Sequence, residues 1–286
     1  MDWQPRLQAI ASAEARALGA GSCVAPGLFL SEVPYPQGRI AFGIGGGRIL
    51  ARGAPETFET PPGEPVHVVK AAFKQSGSPL EFLARLPAKP AFANRGARLE
   101  LYCPDGDWYL VEHVAEATYV APELPRRTST SLPSRLARAV VNLVAKPGDR
   151  VLDPLCGTGV LLVEAARIGG EVEGSDLTWK AVRWARENFA ALELSGTFAR
   201  ADALELKVGD PRHEALVGDL PYGRRLAPSD PTPLVERLPR LARRWALVSH
   251  EDVSDALAAA GNSVALHVEV PKATFVRHVF VGGEAG

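Results

Sequence analysis

The sequence predicts an α/β protein: a doubly wound, mostly parallel sheet in the second half of the chain, preceded by a smaller α+β domain. Three observations predict it. From residue 134 onward, short apolar strands alternate with stretches of helical periodicity, the pattern of a parallel sheet covered by helices. Residues 121–133 (APELPRRTSTSLP) have the Pro, Ser and Thr content of a linker. Before them, strand-like segments dominate. The expected organisation is residues 1–120 as an N-terminal domain, 121–133 as a linker and 134–286 as the main domain.

Composition bounds the function. The chain has 286 residues, 46% hydrophobic and 23% charged, the balance of a globular protein. No apolar run approaches the roughly 20 residues that span a bilayer. The first residues lack the basic start and apolar core of a secretory signal, so a cytoplasmic location and no membrane partner are expected. Cys23, Cys103 and Cys156 fit neither a disulfide framework nor a zinc site. His67, His113, His213, His250, His267 and His278 contain no H-x-x-x-H pair, so no metal is expected. A formal net charge of −1 excludes a globally basic nucleic-acid binder. Basic clusters remain at Arg126, Arg127, Arg135 and Arg138, at Arg224 and Arg225, and at Arg237, Arg240, Arg243 and Arg244.

In the first 120 residues, positions 6–18 have helical spacing and Gly19 is placed to end the helix. Residues 28–33, 39–44, 48–51 and 66–73 have strand character, and Ser78-Pro79 opens a short helix over 80–86. Residues 98–103 and 108–113 alternate as a hairpin around Pro104-Asp105-Gly106-Asp107. The run Gly43-Ile44-Gly45-Gly46-Gly47 is followed by a β-like segment and no helix, so it is expected to be a hairpin turn rather than a phosphate cradle.

The main domain opens with a helix, Ser134–Val144, and then carries four pieces of chemistry. In the first, strand Arg150–Asp153 runs into Pro154-Leu155-Cys156-Gly157-Thr158-Gly159 and a helix over 160–169. That arrangement aims backbone N–H groups and the positive helix end at the carboxyl edge of the sheet, where Gly157 and Gly159 let a ligand approach closely. The full G-x-G-x-x-G spacing is absent, which argues against a dinucleotide. In the second, Asp176 follows strand 171–174 and can accept hydrogen bonds from both hydroxyls of a ribose, with Leu177 offering an apolar face to the adenine. Capping of helix Trp179–Ala191 is the competing role for Asp176.

The third piece is Asp202, after a further strand. The fourth is Asp219-Leu220-Pro221-Tyr222-Gly223 at the end of strand 215–218. This segment resembles the [DNS]-P-P-[YFW] motif of amino methyltransferases, whose target, an exocyclic amine conjugated to a base, is a poor nucleophile. The Asp219 carboxylate and the Leu220 carbonyl can accept its two N–H hydrogens and orient its lone pair. Asp219 also offsets the positive charge that develops on nitrogen. Tyr222 gives an extracted base a face to stack on. Strand 245–249 and segments 264–270 and 274–281 complete the pattern, the last two as a terminal hairpin.

The loop Asp153–Gly159 resembles the first motif of class I methyltransferases, and DLPY resembles the [DNS]-P-P-[YFW] motif of amino methyltransferases, with Leu220 in place of the first Pro. With SLPSRLARAVVNLV and DPLCGTGVLLVEAA, the stretch from about Arg126 to Gly223 resembles the RNA methylase family of tRNA and ribosomal-RNA guanine-N2-methyltransferases. The resemblance implies a Rossmann-like class I fold: a seven-stranded, mostly parallel sheet with a terminal antiparallel hairpin. It implies S-adenosylmethionine as cofactor, held by Thr130, Ser131, Asp153, Cys156, Gly157, Gly159, Asp176, Leu177 and Asp202. It implies Asp219, Leu220, Pro221 and Tyr222 as the catalytic segment, and guanine N2 in tRNA, or ribosomal RNA, as the target. Members of the family carry an N-terminal RNA-binding THUMP domain, so residues 1–120 are expected to be a truncated or divergent counterpart. Arg126, Arg127, Arg224 and Arg225 flank the two active segments and are expected to border the substrate entrance. Two other readings stay open: a DNA adenine-N6 or cytosine-N4 amino methyltransferase, and a non-catalytic RNA-binding or partner subunit on the same fold.

Overall fold

The computed structural model describes residues 7–19, 23–25, 28–29, 41, 46–54, 66–68, 99–102, 108–115, 119–208, 213–221, 230–272 and 275–284. They fall into two units.

In one unit the described elements are strands. β1 (Cys23–Ala25) and β2 (Leu28–Phe29) pair with each other. β3 (Gly46–Gly53), β4 (Val66–Val68), β5 (Leu99–Tyr102) and β6 (Trp108–Ala115) form a sheet in the order β3-β6-β5-β4. The expected hairpin is the antiparallel pair β5–β6. Gly46 and Gly47 lie inside β3, paired with Ala115 and His113, so the end of the glycine run is strand rather than turn. No helix follows it, as expected. The expected segments 30–33, 42–44, 69–73 and 80–86 lie outside the described residues.

The other unit is built on a seven-stranded sheet. Its elements are α1 (Gln8–Ala17), α2 (Ser134–Val144), β7 (Arg150–Asp153), α3 (Val160–Arg167), β8 (Glu171–Asp176), α4 (Trp179–Ala191), β9 (Thr197–Arg200) and β10 (His213–Asp219). α5 (Thr232–Arg237), a 3-10 turn, β11 (Ala242–Ser249), α6 (Ser254–Ala259), β12 (Val264–Lys272) and β13 (Phe275–Gly283) complete it. The strand order is β12-β13-β11-β10-β7-β8-β9. β7 to β11 run parallel, and β12 and β13 are antiparallel, as the sequence predicts.

Strands buried on both faces need an unbroken apolar run. In β10, Ala215 and Val217 face the core under α2 and α3, while Leu216 faces the core under α5 and α6. The chain reverses its winding between β7 and β10. Their carboxyl ends lie side by side, which is where open α/β sheets bind ligands.

Two expected boundaries change. Helix α1 belongs to the sheet unit rather than to an N-terminal domain: its apolar face seats Ile10 and Ala13 in the core with α2. Buried Glu14 accepts hydrogen bonds from the Ala41 amide (2.6 Å) and the Asn142 side chain (2.7 Å). Residues 121–133 are not a free linker either. Asn188 of α4, fully buried, accepts from the Arg126 amide at 2.8 Å. It also donates to the carbonyls of Arg126 and Thr158, both at 2.8 Å, which fastens this segment across the glycine loop.

A second buried polar centre fixes the start of the same segment. Glu164 of α3, 0% exposed, accepts from Arg138 Nε (2.7 Å), the Tyr119 hydroxyl (2.6 Å) and Arg167 (3.3 Å). Removing one partner of a buried ion pair strands the other charge. Glu164→Ala is therefore expected to lower stability by about 3–5 kcal/mol. Glu164→Gln, which keeps a hydrogen-bonding side chain, should cost less. Denaturant unfolding of both variants is the check.

Candidate active site

The ends of β7, β8 and β10 and the segment 128–132 enclose a cavity of about 600 Å³. This volume lies within the range of cofactor pockets. The loop after β7 enters it because Gly157 and Gly159 take left-handed conformations (φ +51° and +79°). The Cys156 amide donates to the Ser175 carbonyl (2.8 Å), and the Gly157 amide donates to Asp176 Oδ2 (3.1 Å).

The two glycines do different work. A Cβ on Gly157 would meet nothing nearer than the Leu155 carbonyl at 4.0 Å, so its free side is cavity. A Cβ on Gly159 would come within 3.2 Å of the Ala185 Cβ. The sequence expectation is corrected here: Gly159 does not line the cavity but lets α3 pack closely on α4.

Asp176 does not cap α4. Thr178 does, its hydroxyl accepting from the Ala181 amide (3.3 Å). Asp176 Oδ1 accepts from the amide and hydroxyl of Thr178 (2.9 and 3.0 Å), and the carboxylate remains on the cavity wall. Asp202 lines it too, with Oδ1 accepting from the Leu204 amide (2.9 Å). Thr130, Ser131, Cys156, exposed Leu177, Leu220 and Pro221 are also on the wall. Ser131 Oγ meets Thr158 Oγ1 at 3.3 Å, closing the cavity over the glycine loop.

Thr128, Lys180 and Trp184 also line the cavity, and the sequence reading missed them. Lys180 Nζ lies 4.5 Å from the Trp184 ring centre. Their signal was helical spacing: Lys180, Ala181 and Trp184 fall on one face of the first turns after Asp176.

Arg126 and Arg127 are not on the cavity wall and are engaged with neighbouring residues. Arg126 pairs with Glu187, and Arg127 donates to the Leu132 carbonyl (3.0 Å). Tyr222, Gly223, Arg224 and Arg225 lie outside the described residues.

Asp153 and Asp219 stand at the ends of neighbouring strands. Asp153, 2% exposed, is held well above the usual carboxylate range by burial, with the charges of Asp219 and Asp176 adding. Asp219 is partly buried as a residue, but its Oδ1 is sealed from solvent and has no hydrogen-bond partner among the described residues. Burial raises its pKa to about 7, and Arg277 holds it down. Strand register explains how. Asp219 pairs with Val248, and Val248 with Val279. Arg277, two residues from Val279 and 4% exposed, therefore faces the same side of the sheet.

Leu220 departs from the motif for a visible reason. Its side chain is buried among Leu152, Leu216 and Leu238, and its amide donates to the Val248 carbonyl (2.8 Å), a bond proline cannot make.

Residues 125–238 match the family described as RMKL-like, methyltransferase domain. The chain is 43% identical over 95 residues to the tRNA (guanine(10)-N2)-dimethyltransferase of Methanothermobacter thermautotrophicus, covering 32% of this chain and 28% of that protein. It is 41% identical over 101 residues to the tRNA (guanine(6)-N2)-methyltransferase of Thermus thermophilus, covering 34% and 30%. The chain thus matches less than a third of the length of either relative. The crystal structure of TrmN from Thermus thermophilus superposes over 98% of this chain and 80% of its own, at 23% identity and a TM-score of 0.49.

S-adenosylmethionine is the methyl donor that the matched family calls for, and the cavity suits it. The acidic side chains of Asp153, Asp176, Asp202 and Asp219 line the wall that a ligand with a cationic sulfonium and amine would meet, and Gly157 leaves its backbone open to it. Gly157→Ala should weaken S-adenosylmethionine binding with little loss of stability. Gly159→Ala should instead cost about 1–3 kcal/mol through strain and overpacking. Calorimetric binding and thermal unfolding of the two variants separate these outcomes.

Proposed function

We propose that the chain is an S-adenosylmethionine-dependent RNA methyltransferase acting on an exocyclic base amine, guanine N2 of tRNA. The observation that carries this reading is Asp219: a carboxyl group on the cavity wall, at the strand end beside the glycine loop, with a buried oxygen lacking a hydrogen-bond partner among the described residues. A buried acceptor left unpaired costs stability unless a ligand supplies the donor. An amine N–H is such a donor. The names of the matching tRNA guanine-N2 enzymes support the choice of base and of RNA.

In this reading Thr130, Ser131, Cys156 and Gly157 hold the amino-acid end of the cofactor, and Asp176, Leu177 and Asp202 its adenosine. When bound, S-adenosylmethionine supplies an electrophilic methyl. Asp219 and the Leu220 carbonyl orient the amine, and Asp219 takes up the proton the nitrogen sheds. Leu220, fixed by its hydrogen bond to Val248, aims its carbonyl without a proline. Tyr222 stacks on the base by resemblance to the family motif. The N-terminal strand unit presents the RNA, and the protein acts in the cytoplasm. No helix among the described residues is long and apolar enough to cross a membrane.

Labelled methyl transfer to unmodified tRNA, with ribosomal RNA and duplex DNA in parallel and nucleoside analysis, tests the reading. N2-methylguanosine in tRNA is expected. Label in DNA alone would make the protein a DNA amino methyltransferase. Cofactor binding without transfer to any of them would favour a non-catalytic subunit.

The pH profile tests Asp219 itself. The acceptor is the carboxylate, so the rate should rise with pH through about 7. Asp219→Asn should remove that inflection and lower kcat by about 10²- to 10⁴-fold while cofactor still binds. Arg277→Met removes a positive charge that favours ionisation, so the inflection should move to higher pH. An unchanged profile would show that Arg277 does not position the charge of Asp219.

A further inference from the structure

On the sheet face opposite Asp219, three side chains that the methyl-transfer reading leaves unused converge. His267 on β12 pairs across the ladder with Phe280, and His278 on β13 pairs with Glu269. Side chains of paired residues share a face, so the two imidazoles are diagonal neighbours. His267 Nε2 lies 3.0 Å from His278 Nδ1. Asp252, in the loop between β11 and α6, brings a carboxylate oxygen to the pair, and the three ligand atoms lie within 4.8 Å of one another.

We propose that Asp252, His267 and His278 form a binding site for a zinc-class divalent cation, clipping the loop before α6 to the β12–β13 hairpin. The donor set is that of borderline cations such as zinc, cobalt and nickel: two imidazole nitrogens and one carboxylate. The spacing suits it. Two nitrogens bound tetrahedrally at about 2.0–2.1 Å stand roughly 3.3 Å apart, a few tenths from the observed separation. The two nitrogens are within hydrogen-bond distance of each other, and a bound cation would replace that contact.

The ligands are also held in place. His267 stacks on Phe280 with ring centres 4.3 Å apart and planes at 21°, and the His278 ring lies within 12° of parallel to the same phenyl. Asp252 Oδ1 accepts from the amide (2.9 Å) and hydroxyl (2.6 Å) of Ser254, which fixes the carboxylate as outer-sphere hydrogen bonds do in metal sites. Asp252 and His267 are exposed, so the cation has an open approach, with a coordination position left to water.

Sequence spacing hides such a site. Its histidines are 11 residues apart on two strands, and its carboxylate arrives from a loop.

The test uses the full chain, stripped with a chelator and titrated with zinc by calorimetry and with cobalt by visible absorption. One equivalent bound at micromolar or tighter affinity, a tetrahedral cobalt spectrum and a zinc-dependent rise in Tm are expected. Asp252→Asn and His267→Ala should each weaken binding at least about tenfold. Affinity no tighter than that of an isolated surface histidine, or Asp252→Asn binding as tightly as the unmodified chain, would overturn the proposal. It would leave a hydrogen-bonded histidine pair. Neither result bears on methyl transfer, so this site and the proposed activity stand or fall separately.

Discussion

Strands β7 and β10 end side by side although the chain between their last residues runs through β8 and β9. That adjacency is the constraint on which the site depends. A strand that feeds the sheet's centre and then winds one way leaves a gap in its connections, and the strand that returns beside it brings its own loop to the same edge. Asp153 and the glycine turn come from one side of the switch, and Asp219 from the other. Neither loop encloses the cavity without its neighbour. The antiparallel hairpin β12–β13 also contributes, because pairing with β11 carries Arg277 to the face that Asp219 occupies.

Two buried polar residues convert this edge into a closed pocket. Glu164 and Asn188 lie on helices that cover the sheet, and each bonds the segment that precedes α2. A buried carboxylate or amide is costly unless its partners are present, so these groups specify where the incoming chain must lie. Leu132 fills the apolar core beneath, while Thr128, Thr130 and Ser131 are left on the cavity side. The wall is built from chain whose composition resembles a linker, and it is ordered by contacts to residues far away in sequence.

The parallel order, the terminal hairpin and most of the cavity wall were legible because they rest on local chemistry. An apolar run ending in Asp, Gly and Pro marks a strand end wherever it lies. The docking of residues 121–133 was not legible, since only Asn188, about 60 residues later, satisfies the Arg126 backbone. The membership of α1 was hidden for the same reason: its buried Glu14 is explained by Ala41 and Asn142, not by its own helix. Gly159 shows a further limit. Its residue type announces close approach, but whether the neighbour is a ligand or Ala185 depends on the position of α4.

The charge pattern ties the pocket's shape to its chemistry. Asp153 and Asp219 both sit where burial opposes ionisation, and the charge of Asp219 makes ionisation of Asp153 harder still. Of the two acids, Arg277 holds down Asp219, from the same face of the sheet. The two acids therefore differ in setting: Asp153, beside the glycine turn, meets burial and other acids, whereas Asp219 also faces Arg277 and is poised at about 7. Positive charge entering the cavity favours the ionised forms of both. A cationic ligand thus readies Asp219 as an acceptor before any amine arrives. A neutral or anionic ligand of the same size would not.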